Sequence, residues 1–195
     1  MLVITSMLTT LAQAQPPKKD TSDNLKQLKD SLVFQYNRGQ ISRAIQTARK
    51  IMPYVRHDSA DLAQNHNRLG ILYNRVNQYS KAAKNYEKSG EIYKALEDTL
   101  KYANYLLNTA IFHSKLEQFD IAMDKLSQCE GLYRQMNDTN GLGRVYTAKG
   151  TINQKLKVYD KSMQQYNKAL QYKVMEGNQK DVAFTRMKIG ELYLQ

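Results

Sequence analysis

The sequence predicts an all-α protein built as a solenoid of antiparallel helix pairs, and three observations carry that prediction. Gly70, Ala110, Gly150 and Gly190 stand 40 residues apart. Larger side chains follow them in the same step: Tyr79, Phe119 and Tyr159 nine positions on, Ala82, Ala122 and Ser162 twelve on, Tyr86, Leu126 and Tyr166 sixteen on. A fixed period in this range marks stacked supersecondary units, each hiding its apolar face against the next. Composition agrees: the 195 residues contain no Trp, 3 Pro and 9 Gly, and they are rich in Leu, Lys and Gln, a mixture that favours helix over strand. Beyond the first few residues, no run of β-branched side chains alternates with polar ones as a half-buried strand would require.

The elements follow in chain order. Leu2 to Leu11 is mostly apolar, and Ala12-Gln13-Ala14 gives the small-x-small pattern of a cleavage site. Residues 1–14 therefore resemble a signal peptide cut before Gln15, although no Lys or Arg precedes the apolar stretch. A short apolar tail packed on the first helix pair is the other reading. The stretch falls well short of the roughly 20 residues that cross a bilayer. Residues 15–22, with Pro16-Pro17-Lys18-Lys19-Asp20, are expected to form an extended linker.

The repeat array then occupies residues 23–195. A divergent first unit, about 23–57, has Leu25, Leu28, Leu32 and Tyr36 on its first helix (A) and Ile41, Ala44, Ile45, Ala48, Ile51 and Met52 on its second (B), with Arg38-Gly39-Gln40 between. In the second unit, 60–98, helix A runs from about Ala60 to Val76, with Leu62, Ala63, His66, Leu69, Gly70 and Tyr73 at amphipathic spacing. Helix B runs from about Tyr79 to Glu97, its inward stripe being Ala82, Ala83, Tyr86, Ser89, Gly90, Tyr93 and Leu96. Asn77-Gln78 breaks the pair, since Asn tolerates the left-handed backbone at a helix end; Glu117-Gln118 and Lys157-Val158 repeat the break in units 99–138 and 139–177. Asp98-Thr99 and Asp138-Thr139 separate units and can cap the incoming helix.

Residues 181–195 are half a unit, a helix A without its B. An uncovered apolar face predicts that the array continues or that Met187, Leu192 and Leu194 are buried by another subunit, as in a homodimer. Cys129 stands alone, and its counterparts one repeat away are Ser89 and Ala169, so it reads as a small core residue.

Leu69-Gly70, Tyr73, Tyr79, Ala82 and Tyr86 match the helix-pair signature of the tetratricopeptide repeat family. Gly150, Tyr159, Ser162, Tyr166 and Ala169, and Ala110, Phe119, Ala122 and Leu126, match it more loosely. The chain resembles that family from about Asp23 to Gln195, in a long-period form, since the family's usual repeat is about 34 residues; the proline that often closes each repeat is missing. The resemblance implies a right-handed superhelix whose A helices line a concave groove. Carried over by their offsets, the groove residues are Gln64, Asn67, Asn74 and Arg75, then Asn104, Leu107, Ser114 and Lys115, then Arg144, Thr147, Gln154 and Lys155, with Lys26, Lys29, Tyr36 and Asn37 from the first unit. Amide side chains can pair with an extended peptide backbone, and Lys or Arg can meet a carboxylate. The carboxylate-clamp branch of the family needs an Asn four residues after Lys29, where Val33 stands.

Net charge is +11. From Gly143 to Lys188, ten basic residues face three acidic ones, so the second half could meet an acidic protein, an anionic surface or a nucleic-acid backbone. The export-like N-terminus and the absence of a nucleic-acid motif speak against the last. No cofactor, metal or catalytic constellation is expected: His57, His66, His113 and Cys129 lack ligand spacing, Gly141-Leu142-Gly143 is only a lone pair of glycines, and no nucleophile is paired with a base. The sequence therefore points to a non-enzymatic module that binds a protein or peptide segment, acidic ones included, as an exported, periplasmic or envelope scaffold or the sensory input region of a longer protein. The alternative is a cytosolic repeat protein that associates with nucleic acid through its basic half.

Overall fold

The computed structural model describes residues 18–194. The signal-like segment and the first part of the linker lie outside the described residues. Among those described, every regular element is a helix: α1 (Lys18–Asn37), α2 (Ile41–Val55), α3 (Ser59–Arg75), α4 (Tyr79–Ala95), α5 (Thr99–Lys115), α6 (Phe119–Gln135), α7 (Thr139–Lys155), α8 (Tyr159–Met175) and α9 (Gln179–Leu192). Helix α1 begins at Lys18, so the last residues of the expected linker are helical. Pro17 restricts the residue before it, not the one after.

From α3 to α8 each helix has 17 residues and each connector three, so the backbone repeats at half the period of the side chains. The connectors turn on one left-handed residue: Asn77, Glu97, Glu117, Asn137 and Lys157 have φ between 53° and 60°, and Gly39 and Gly177 have φ 68° and 70°. A left-handed conformation costs a side-chain-bearing residue about 1–2 kcal/mol, while Gly gives back part of the gain through its freer unfolded chain, roughly 0.5–1 kcal/mol. Glu117→Gly is therefore expected to stabilise the protein by about 0.5–1 kcal/mol, measured as a raised urea midpoint at unchanged slope.

The two kinds of helix begin differently. Asp58, Asp98, Asp138 and Asn178 cap α3, α5, α7 and α9, each side chain accepting from the backbone N–H three residues on. Helices α4, α6 and α8 have no side-chain cap; each opens on an aromatic ring, Tyr79, Phe119 or Tyr159, that is half-buried. Caps thus mark where a pair starts, and packing marks where its second helix starts.

Helices pack most extensively within a pair and next with the following pair. The within-pair crossing is set by glycine. A Cβ on Gly70 would lie 2.6 Å from the Tyr86 ring and one on Gly150 2.7 Å from the Tyr166 ring. The crossing from one pair to the next uses the same device elsewhere: a Cβ on Gly141 would meet Tyr133 at 2.3 Å. Buried Ser89 and Ser162 donate to the Ala63 and Gly150 carbonyls, 2.9 and 2.8 Å, so their hydroxyls are satisfied by the facing A helix. Cys129 is fully buried, and burial pushes its thiol up to about 12, so no thiolate forms near neutrality.

The interior A helices bury more than an amphipathic stripe because a B helix flanks them on either side. Asn65, Leu72, Phe112 and Ile152 face the preceding pair and are buried; Phe112 packs against both Tyr79 and Tyr86. Phe34, in the corresponding place on α1, is 56% exposed, with no earlier helix among the described residues to cover it. At the other end Met187 and Leu194 are exposed as expected of an uncovered helix A, but Leu192 is buried. It occupies the place of Leu72 and Ile152 and so points back into its own array. Leu96, expected inside, is exposed because it lies at the C-cap of α4.

One polar network ties α6 to α7. The Glu130 carboxylate accepts from Lys149 Nζ at 2.5 Å, Tyr146 Oη at 2.7 Å and Arg134 Nη2 at 2.8 Å. Burial works to raise its pKa, but these donors outweigh burial and hold it at about 2, against 4.5 ordinarily. A depressed carboxylate stabilises the fold above the unfolded value and loses that contribution as pH falls through the folded one. The urea midpoint is accordingly expected to drop between about pH 5 and pH 2, and the drop should be shallower in Glu130→Gln.

Candidate functional site

The A helices form the inner wall of the array: α5 touches α3 on one side and α7 on the other. Side chains one repeat apart meet along this wall. Asn108 Nδ2 donates to Asn67 Oδ1 at 3.3 Å, Arg144 Nη1 to Asn104 Oδ1 at 2.8 Å, and Lys155 Nζ to the Ser114 carbonyl at 2.9 Å. The Arg75 guanidinium lies 4.3 Å from the centroid of the Tyr36 ring. Asn104 also accepts from the buried Tyr133 hydroxyl at 3.1 Å, so its orientation is fixed from the core outward.

The residues expected in the groove divide into three groups. Arg75, Lys115, Arg144 and Lys155 are exposed. Gln64, Asn67, Asn104 and Gln154 are half-buried, and Gln154 Oε1 accepts from the Tyr166 hydroxyl at 3.1 Å. Asn74 and Ser114 are buried, at 9% and 8% exposure, and Leu107 is fully buried. In the last turn of helix A, Asn74 sits against Tyr86 of its own helix B, whose phenol burial pushes up to about 12 while the Asn74 amide pulls the other way. In the repeat where Leu126 replaces the tyrosine, Ser114 replaces the amide. These positions report on packing more than on a ligand. In the first unit, Lys29 is engaged by Asp61 at 2.6 Å.

Two depressions open on the wall. One of about 280 Å³ lies between α1 and α3, lined by Leu32, Val33, Tyr36, Arg68, Ile71 and Leu72. The other, about 400 Å³, lies among α5, α7, α8 and α9 and has Ile111, Thr147, Thr151 and Phe184 on its walls, with Arg144, Lys173 and Asp181 as its charged groups. Sequence reasoning missed Ile111, Phe184 and Lys173. A signal for Lys173 was present, since it stands where the repeat puts Tyr93 and Tyr133. His66 and His113 bond to Asn85 and Gln118 at 2.9 and 2.7 Å. Among the described residues no three His, Cys, Asp or Glu side chains come together as a metal site, and no helix is long and apolar enough to cross a membrane.

Solved structures match this architecture over most of the chain. BtubC (BKLC) from P. vanneervenii superposes with a TM-score of 0.76 at 20% identity, over 89% of this chain and 73% of that one. The fold is a right-handed tetratricopeptide-like solenoid. The apo form of RapI matches the same solenoid with a TM-score of 0.70 at 13% identity, over 83% of this chain and 46% of its own. A double mutant of MamA RS-1 (ArsTM) matches at 0.56 and 17% identity, over 88% and 95% of the two chains. No family model matches the sequence, and no curated protein does. At such identities the likeness is one of fold.

Proposed function

We propose that the inner wall of the solenoid binds an extended polypeptide segment and that the protein acts as a non-enzymatic interaction module. The observation that carries this reading is the wall itself: one largely apolar and one mixed depression, with cationic side chains along the wall, Arg144 and Lys155, held by bonds from one repeat to the next. An extended peptide offers what such a surface needs, with a backbone carbonyl for the Asn67 amide N–H and side chains for the depressions. A basic wall favours segments carrying acidic residues.

Of the ten basic residues between Gly143 and Lys188, five have partners within the protein: Arg144 with Asn104, Lys149 with Glu130, Lys155 with the Ser114 carbonyl, Lys173 with Thr185 and Lys188 with Glu191. Only Lys149 and Lys188 are neutralised by a carboxylate; Arg144, Lys155 and Lys173 keep their charge but are held in place, which suits a defined segment on the inner wall better than a uniform phosphate backbone.

The test is a selection of displayed random peptides against the purified protein, with the winners measured against Ile111→Glu on the inner wall and Lys84→Glu on an exposed face of α4. The expected result is a loss of about tenfold or more for Ile111→Glu, equivalent to at least about 1.4 kcal/mol, with Lys84→Glu unchanged. A peptide should also survive a rise from about 50 to 200 mM salt, over which a nucleic-acid ligand making six or more phosphate contacts loses about a thousandfold in affinity. Equal losses in both variants, or tight binding only to oligonucleotides, would remove this reading. The export reading rests on Leu2 to Leu11 and Ala12-Gln13-Ala14; sequencing the mature N-terminus should find Gln15 first, and an intact Met1 would refute it.

A further inference from the structure

Helix α8 carries an anomaly that the packing does not require. Its Lys173 stands in the register of Tyr93 and Tyr133, both buried rings. Lys173 is buried too, at 7% exposure, and its ammonium makes one hydrogen bond, to Thr185 Oγ1 at 2.9 Å. The Thr185 hydroxyl in turn donates to the Asp181 carbonyl. No carboxylate lies within ion-pair distance of Lys173 among the described residues; the Asp181 carboxylate, nearby, accepts instead from the Asn178 side chain at 3.1 Å. Burial pulls the pKa of Lys173 down, with Asp181 opposing the shift. A buried ammonium normally has a carboxylate or a full set of acceptors. Beside this ammonium stands the Phe184 ring instead, its centroid 5.8 Å from Nζ.

Lys173 lines the larger depression together with Arg144, whose Nη1 is held by Asn104, and with Asp181, whose carboxylate is engaged by Asn178, so the cations outnumber the anion there. Facing these two cations are Ile111 and Phe184, 39% and 44% exposed. Thr147 has spent its hydroxyl proton on the Gly143 carbonyl, so toward the depression it offers an acceptor oxygen, whereas Thr151 is engaged by the Thr147 carbonyl and the Tyr166 hydroxyl. The complementary ligand has a negative group for the cations, an apolar group for Ile111 and Phe184, and an N–H for the Thr147 oxygen. We propose that this depression is a subsite for a carboxylate borne beside an apolar side chain on a peptide, with Lys173 and Arg144 meeting the carboxylate and Ile111 and Phe184 the side chain. The proposal rests on the peptide-binding reading of the inner wall and specifies the chemistry of one part of it. The carboxylate has two sources, a chain end or an acidic side chain.

Nuclear magnetic resonance titration of the ¹⁵N-labelled protein tests it with three probes: N-acetyl-leucine (a chain-end carboxylate), acetyl-Leu-Glu-amide (a side-chain carboxylate) and acetyl-Leu-Gln-amide (neutral). At least one charged probe should give saturable shifts at the amides of Thr147, Thr151 and Phe184, and whichever does so names the source. The neutral probe should bind about tenfold more weakly or not at all, because hydrogen bonds to a charged group are what it lacks. Lys173→Met, close in volume, and Arg144→Gln should each weaken the charged probe by about tenfold, while Lys84→Gln should not; unchanged circular dichroism shows that the variants fold. Equal binding of neutral and charged probes, no saturation with any probe, or full affinity in Lys173→Met overturns the subsite. If selected peptides still bind the wall in Lys173→Met, the subsite falls and the peptide-binding reading stands. If a charged probe saturates while no peptide is ever selected, the reverse holds.

Discussion

Replacing Tyr166 by Ala is expected to destabilise the protein by about 3–5 kcal/mol, a large share of the roughly 5–15 kcal/mol that holds a typical domain together. The ring is fully buried between α8 and α7, where it fills the hollow over Gly150. Its hydroxyl lies 3.1 Å from both Gln154 Oε1 and Thr151 Oγ1. Truncation removes the apolar contacts, leaves a cavity that stiff helices cannot close, and strips partners from Gln154 and Thr151. In a stacked array stability is a sum of unit and nearest-neighbour terms, so the damage should be local. Hydrogen exchange should accelerate in α7, α8 and α9 well before α1 to α4. Uniform acceleration along the chain would show that the array unfolds as one body.

The second large effect is at the other side of the same contact. Gly150→Leu should cost about 1–3 kcal/mol by overpacking, because its first side-chain carbon would already stand 2.7 Å from the Tyr166 ring. The ring has no solvent-facing side to retreat to. Combining Gly150→Leu with Tyr166→Ala should therefore cost less than the sum of the two, with a coupling of about 0.5–3 kcal/mol, since the leucine can occupy space that the ring vacates. Urea unfolding of the four proteins in the cycle measures it. Additive losses would mean that Gly150 is required for some reason other than room for Tyr166.

The same logic shows how far the sequence could be read. The pairing of Gly70 with Tyr86 and of Gly150 with Tyr166 was legible because both partners recur at the 40-residue step. So were the aspartate caps and the breaks at Asn77, Glu117 and Lys157, since helix ends obey local chemistry. The crossing of Gly141 with Tyr133 was not legible: it joins one pair to the next, and the equivalent place in the earlier pair is served by Lys101 beside Tyr93. Glu130 was equally hidden, because its partners Tyr146 and Lys149 lie across a connector in the next unit and the trio does not recur, Gly90, Leu106 and Thr109 standing 40 residues earlier.

On the inner wall the sequence could not say which residues of the A helices remain open. Offsets placed Asn74 and Ser114 in the groove, and both are buried; they left out Ile111 and Phe184, which are open. A helix flanked by partners on two sides buries an arc wider than one amphipathic stripe, and the remaining arc depends on how the pairs are stacked. Periodicity, caps and the small-to-aromatic spacing by themselves fixed the helices, their pairing and the solenoid, because each is a contact over short sequence distance. The depressions, the cross-repeat bonds of the wall and the place of Lys173 were decided only in three dimensions, where the angle between successive pairs selects which side chains meet and which face outward.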